Sequence, residues 1–177
     1  MTAIETQRYP DETKRGGVSR FLLFAGIMAI VVGIGSVGGG IFGAWYTYDQ
    51  AVAQNVVTPD DAVIPETPVR GPFSMWAQAD IITHHQLDNT EGLYYAEMER
   101  TVPQVDENGE VVLDENGEAV LVPNEARASW LPATTLTTAL GLGIVSYALA
   151  AFAFMVGLTL IVVGFAFLQI RKRALLA

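Results

Sequence analysis

The 177 residues are 51% hydrophobic yet have a formal net charge of -9, a combination that a single soluble core does not easily accommodate. The charges separate along the chain, because residues 47–135 hold 16 acidic and 3 basic side chains and therefore a net charge of -13. Such a surplus of negative charge repels phosphates and excludes nucleic-acid binding. The absence of cysteine excludes disulfides, thiolate metal sites and cysteine nucleophiles.

A first transmembrane helix is predicted over residues 21–46, after a cytoplasmic tail of residues 1–20. Residues 21–45 contain no charge, and these 25 residues would measure about 37 Å as a helix, enough to cross a hydrocarbon core of about 30 Å with some tilt. Arg20 precedes the span, and Trp45 and Tyr46 follow it with aromatic side chains typical of the headgroup level. A cleaved signal peptide is the alternative. The apolar region of a signal peptide is only about 7 to 15 residues long, shorter than the run found here, so we predict a retained anchor.

An acidic external segment is predicted over residues 47–135. Its prolines and acids between Thr58 and Pro72 are typical of an extended connector. Apolar periodicity then predicts a helix from about residue 73 to residue 87. The residues expected near the buried face of this helix are Phe73, Trp76, Ala77, Ile81, His84 and His85. A second short helix is expected to use Leu93, Tyr94 and Met98 as its apolar contacts.

An octapeptide pattern occurs twice in succession, over residues 106–113 and 114–121. Each copy contains Asn-Gly before a short β-prone run, and both residues tolerate positive φ in a type I′ turn, so we predict a small β-meander. Calcium binding is the alternative for the clustered carboxylates. The spacing does not reproduce that of a helix-loop-helix calcium loop, and we predict no metal there.

His84 and His85 are the other residues with potential metal or acid-base chemistry. Neighbouring helical residues point about 100° apart, so the two rings cannot readily share one metal. We expect a histidine that packs near Trp76 and Tyr94. We predict no catalytic residue, no metal site and no cofactor.

A second transmembrane helix is predicted over residues 136–170, followed by a basic tail over residues 171–177. The charge-free run covers residues 128–170, with Trp130 at its outer approach and Arg171, Lys172 and Arg173 at its inner end. Basic residues concentrate on the cytoplasmic side of a membrane. Both termini are therefore predicted to lie in the cytoplasm, and the chain to be a multi-pass protein of the cell membrane.

Small residues form a stripe at spacings of three and four in each span, the pattern of a glycine zipper. We expect the two stripes to pack on each other. The first contains Gly26, Gly33, Ser36, Gly40 and Gly43, and the second contains Gly143, Ser146, Ala150, Ala153 and Gly157. A further series, Gly35, Gly39 and Gly43, lies on a partly different face and is available for a copy of the chain or another membrane protein. The alternative is that such stripes arise by chance, because Gly and Ala are frequent in membrane helices.

Residues 55–100 resemble a group of small actinobacterial membrane proteins with one span on each side of such a segment. The resemblance is carried by Thr58-Pro-Asp-Asp61, Ala77-Gln-Ala-Asp-Ile-Ile82, His85 and Tyr95-Ala-Glu-Met98. It extends to most of the chain apart from the repeated octapeptide and implies a location in the cell membrane. Members of the group are often labelled aromatic ring-opening dioxygenase, which implies extradiol cleavage at Fe(II) held by two separated histidines and a glutamate. No residue here is matched to that ligand set, because the two histidines of this chain are neighbours.

The predicted fold class is membrane all-α: a two-helix transmembrane hairpin with a small α-helical and irregular external segment that carries a short β-meander. Neither span is interrupted by Asp, Glu, Lys, Arg, His or Asn, whereas transport usually requires an intramembrane ionisable group. We predict a non-enzymatic accessory or interaction subunit whose partners are the lipid bilayer and a membrane protein or further copies of itself. A component of an oligomeric channel or transporter is the first alternative, and a ring-opening dioxygenase the second.

Overall fold

The computed structural model describes residues 3–176, with side chains described over residues 16–175. The chain is 66% helical. Its elements in chain order are α1 (Ala3–Ala53), α2 (Pro72–Asn89), β1 (Thr101–Pro103), β2 (Leu121–Pro123), α3 (Glu125–Ala128) and α4 (Trp130–Leu176). The basic side chains before Gly16, on which the predicted orientation partly depends, lie outside the described side chains.

Helices α1 and α4 are both longer than the predicted spans, with 51 and 47 residues. Once a helix has nucleated, each added residue gains a hydrogen bond, so the helices continue through the polar residues that flank the apolar runs. Pro132 lies in the first turn of α4, where a missing N–H is tolerated. Helix α1 ends at Ala53, and Asn55 then adopts the left-handed region with a φ of 50°.

The chain divides into two compact units, the first formed by residues up to Thr47 and from Ser146 onward, the second by Tyr48–Val145. In the first unit α1 and α4 pack antiparallel. Both helices are long and apolar enough to cross a membrane, with a mean hydropathy of 2.4 and 2.5 in their apolar windows. Only 11% of each window is buried, so most of the apolar surface of the pair is exposed.

The second unit is built around α2, which confirms the helix predicted over about residues 73–87. Its buried face differs from the prediction. Ala77 and Ile81 are buried as expected, but Phe73 and Trp76 are 78% and 49% exposed. The residues that fill the buried face are Ser74, Met75, Ala77, Ile81 and Gln86. The two polar side chains among them can be buried because each forms a hydrogen bond. Ser74 Oγ accepts a hydrogen bond from the backbone N–H of Gly71 and so caps the helix, and Gln86 Nε2 donates to Ser129 Oγ at 2.6 Å.

The second short helix predicted around Leu93, Tyr94 and Met98 is wrong, because Leu93 and Tyr94 lie in irregular backbone and Met98 lies at a bend. Glu91 and Gly92 both have positive φ, 55° and 82°, which interrupts a right-handed helix. The hydroxyl of Thr90 donates to the Leu93 carbonyl at 2.7 Å and to the Gln86 carbonyl at 2.9 Å, so it fixes the turn that ends α2.

The repeated octapeptide is not a regular meander. Strands β1 and β2 pair antiparallel, with Val102 opposite Val122, and flank the two copies. Each copy forms a tight turn with positive φ only at its glycine, Gly109 or Gly117, so the predicted type I′ turn is wrong. The backbones of Gln104, Val112 and Val120 close a ring of three hydrogen bonds, each shorter than 3.0 Å, which explains the eight-residue period.

Candidate functional site

The contact between α1 and α4 is formed by small residues that repeat every seven positions. Gly26, Gly33 and Gly40 of α1 lie against Gly164, Gly157 and Ala150 of α4. An ideal Cβ placed on Gly33 would lie 2.7 Å from the Gly157 carbonyl oxygen, and one on Gly40 would lie 2.6 Å from the Ala150 carbonyl oxygen. The helix backbones therefore touch, which only glycine permits at these positions. A seven-residue repeat is typical of helices that cross at a small angle.

The other members of the predicted stripes lie beside this contact. Ser36 is half-buried, and Gly43 is in ordinary contact with the Ala150 Cβ at 3.7 Å. Gly143 contacts a different element, since an ideal Cβ there would lie 2.7 Å from Met75 Sδ of α2. The sequence spacing alone does not reveal that Gly143 contacts α2 and not α1, because the small residues of α4 keep the same period along the helix.

Gly35 and Gly39 lie on an open side of the helix pair. Among the described residues beyond the backbone of their own helix, none has an atom within 4 Å of an ideal Cβ at either position. Beside them a shallow groove of about 350 Å³ runs along the two helices. Its lining consists of Gly39, Gly43, Tyr46, Thr47, Ser146, Leu149, Ala150 and Ala153. The small residues of this groove were predicted from the sequence, but Tyr46, Thr47 and Leu149 were not predicted as their neighbours.

Aromatic side chains cluster near the end of the first apolar run. Trp45 and Tyr46 are 57% and 53% exposed, and both rings lie about 6 Å from the ring of Phe42, at 5.8 and 6.2 Å between centroids. At the opposite end of the two runs, Arg20 is exposed, as are Lys172 and Arg173, while Arg171 is half-buried. Aromatic and basic residues therefore lie at opposite ends of the apolar surface.

Trp130, grouped from the sequence with the interfacial aromatics, packs inside the second unit. Its side chain is 7% exposed, its Nε1 donates to the Leu93 carbonyl at 3.1 Å, and its ring stacks on Tyr94 at 5.3 Å. Arg127 lies 3.7 Å above the ring of Tyr95. These contacts tie the turn after α2 to the start of α4.

His85 pairs with Asp61, a contact that was not predicted from the sequence. Its Nε2 lies 2.6 Å from Asp61 Oδ2, so the ring joins α2 to the connector before it. His84 Nδ1 lies 3.0 Å from the Asp80 carbonyl oxygen. The side chains of His84 and His85 are 65% and 50% exposed. The expected partial packing of a histidine near Trp76 and Tyr94 stays a prediction. Asp61 and His85 are 24 positions apart, so no local pattern in the sequence signals the pairing.

Three carboxylates outside the apolar runs have lowered pKa values. The hydrogen bond from His85 lowers the pKa of Asp61. In the two octapeptides the carboxylates of Asp106 and Asp114 accept the backbone N–H groups of Glu110 and Glu118, which lowers the pKa of each aspartate. The repeat thus uses its aspartates to fix two turns. Within the described part of the chain, no three His, Asp or Glu residues converge as a metal site would require.

Comparison with known proteins finds no matching family model, no matching curated protein and no matching solved structure.

Proposed function

We propose that this chain is an integral membrane protein with two transmembrane helices. The observation that carries the proposal is that the apolar windows of α1 and α4 are only 11% buried. The core helix of a soluble protein is mostly covered by other elements, whereas these helices expose Phe24, Ile34, Phe152 and Val162 among many others. Each such side chain is disfavoured in water by about 1.5 to 3 kcal/mol, and a bilayer removes that cost.

The orientation we propose follows from charge. Arg20, Arg171, Lys172 and Arg173 lie at one end of the apolar surface and Trp45 and Tyr46 at the other, so the basic end belongs in the cytoplasm. Both termini are then cytoplasmic, and the acidic segment lies outside the cell membrane. The resemblance to small membrane proteins with one span on each side of such a segment also supports this proposal.

We further propose that the protein is a non-enzymatic interaction subunit. The helix pair uses one set of glycines for its own contact and leaves a second set, Gly35 and Gly39, open beside a groove. In lipid, helices associate through close van der Waals contact, which small residues permit. The open face therefore suits a further transmembrane helix, supplied by another membrane protein or by a copy of this chain.

Native mass spectrometry of the full chain in mild detergent tests this role. The wild-type protein is expected in assemblies heavier than its own 19.1 kDa. Gly39→Leu should fill the groove and release the protomer. Gly38→Leu is the matched control, because Gly38 is equally open but does not line the groove. Wild-type protein that is monomeric, or an assembly that Gly39→Leu leaves intact, would contradict the proposal. Iron retained in the same spectra would instead favour the dioxygenase implied by the family label.

A further inference from the structure

Arg171 lies at one end of the contact between α1 and α4. The small residues of this contact repeat every seven positions and end at Gly26 on α1 and Gly164 on α4. One further step of the repeat gives Ser19 and Arg171. Both residues are half-buried, whereas their chain neighbours on either side are exposed. Arg171 therefore lies at the contact between the two helices and not on their outer surface.

The guanidinium group of Arg171 has a hydrogen-bond donor without an acceptor. Its Nε is buried and has no hydrogen-bond partner among the described residues. Buried polar groups are almost always hydrogen-bonded, because a buried N–H has lost its bond to water and gains nothing in exchange. An unpaired donor at this position indicates that an acceptor from outside the chain completes the site.

No described carboxylate of the first unit can supply that acceptor. Residues 16–47 and 146–175, the part of this unit whose side chains are described, contain four basic and no acidic residues. Residues 1–15 contain three acidic and three basic residues and therefore add no net charge. The acidic surplus of the chain belongs to the second unit. The positive charge at this end of the helix pair is thus uncompensated, and it attracts anions.

The position of Arg171 indicates which anion is available. Arg171 directly follows the charge-free run of residues 128–170, and Arg20 directly precedes the run that begins at Phe21. In the proposed membrane placement, both guanidinium groups therefore lie at the level of the lipid headgroups. A guanidinium group presents two parallel N–H groups that match two oxygens of a phosphate, whereas a lysine acts as a point charge. The phosphate of a lipid headgroup is the acceptor that Arg171 meets at this level.

We propose that Arg171 binds the phosphate group of an anionic phospholipid at the cytoplasmic end of the contact between α1 and α4. The residue as a whole is only half-buried, so a turn of its side chain brings the Nε–H to one phosphate oxygen and a terminal N–H to another. The exposed Arg20, Lys172 and Arg173 raise the positive potential around the site, which favours a headgroup with net negative charge over a zwitterionic one. The inference rests on the proposed membrane placement and adds a lipid ligand to the proposed interaction subunit.

Native mass spectrometry of the full chain measures the bound lipid. The protein in mild detergent receives equal amounts of dioleoyl phosphatidylglycerol and dioleoyl phosphatidylcholine. We expect the wild-type chain to retain phosphatidylglycerol several-fold more often than phosphatidylcholine. Arg171→Gln should lose most of this preference, whereas Lys172→Gln should keep it. Lys172→Gln is the matched control, because it removes the same charge one residue further along α4, at an exposed position. An equal preference in the two variants, or no preference in the wild type, would overturn the inference.

Two further ligands identify the group that Arg171 recognises. Oleate has an anionic carboxylate but no phosphate, and inorganic phosphate has no acyl chain. We expect neither to raise the melting temperature of the wild-type chain in lipid-free detergent as much as phosphatidylglycerol does. An equal effect of oleate would show that charge alone is recognised, and an equal effect of inorganic phosphate would show that the ligand is soluble. Either result would overturn the assignment to a phospholipid.

Extraction of membranes with alkaline carbonate separates this inference from the proposed function on which it rests. Wild type and Arg171→Gln should both stay in the membrane pellet, because the apolar runs of α1 and α4 are unchanged. Release of the wild-type chain would overturn the proposed membrane placement. A chain that is retained, but whose lipid preference is the same in Arg171→Gln and Lys172→Gln, would overturn only the lipid site.

Discussion

Enlarging Gly40 should separate α1 from α4. A Cβ at this position would lie 2.6 Å from the Ala150 carbonyl oxygen and 2.9 Å from the Phe154 nitrogen. The first distance is 0.8 Å short of the 3.4 Å at which ordinary contact begins. Both neighbours are backbone atoms of a continuous helix and cannot rotate away, so the helices must move apart.

The cost can be stated from general packing energetics. Overpacking at a close contact destabilises a structure by about 1 to 3 kcal/mol. For a chain of this size each kcal/mol lowers the melting temperature by about 2 to 4 °C, so Gly40→Leu should melt about 2 to 12 °C below wild type. The assay is thermal unfolding in mild detergent, followed by circular dichroism and by gel filtration of the heated sample.

Gly38→Leu is the control, since its side chain enters open space on the same helix and Gly38 does not line the groove. It should melt within about 1 °C of wild type in the isolated protomer. Unchanged melting of Gly40→Leu would refute the argument that the backbones touch there. Equal decreases in melting temperature for both variants would show that any large residue in this part of α1 is destabilising, and that the contact of Gly40 with α4 is not the cause.

Three further predictions concern the termini and the external segment. A reporter active only outside the membrane should be active when fused after Ala119 and inactive when fused after Ala177, and activity at both sites would contradict the proposed orientation. Deletion of residues 106–113 should leave membrane accumulation and helix content nearly unchanged in immunoblots and circular dichroism, because exposed turns tolerate deletion, and loss of the protein would show that the repeat packs against something essential. The hydrogen bond from His85 lowers the pKa of Asp61, so the pair stabilises the folded chain above about pH 4. This stabilisation is lost as the pH falls through the lowered pKa of Asp61. Protection factors for hydrogen exchange, which correct for the intrinsic pH dependence of exchange, should therefore fall in the connector of the wild-type chain on acidification, whereas in Asp61→Asn they should already be lowered at pH 7 and change less.

The sequence predicts the long apolar helices because their signal is local and strong. An unbroken run without charge identifies each of them, and the helix around Ile81 is likewise evident from its period. The exact helix ends were not predictable, because helix continues into polar flanks wherever no residue breaks it. The turns around Gly109 and Gly117 were predictable in place but not in type, since Asn-Gly is compatible with several turns.

Which of several similar residues packs against another helix depends on contacts between residues that are distant in the chain. Nothing local distinguishes Gly40 from Gly39, yet one touches α4 and the other faces open space. The buried face of α2 was mispredicted for a related reason: Phe73 and Trp76 are the most apolar residues there, but Met75 is the one that meets Gly143. The Asp61–His85 pair also joins residues 24 positions apart.

The sequence by itself determined that two helices with long charge-free runs would form, that an acidic segment would separate them, and that small residues would follow one side of each helix. These properties depend on hydropathy and helical period, which are local properties of a stretch of sequence a few helical turns long. The tertiary structure alone decided which small residues touch, which remain open, and which side of α2 is covered. Those outcomes depend on the antiparallel register of α1 against α4 and on the place where the chain folds back, because a close contact requires two surfaces whose relative position no single segment specifies.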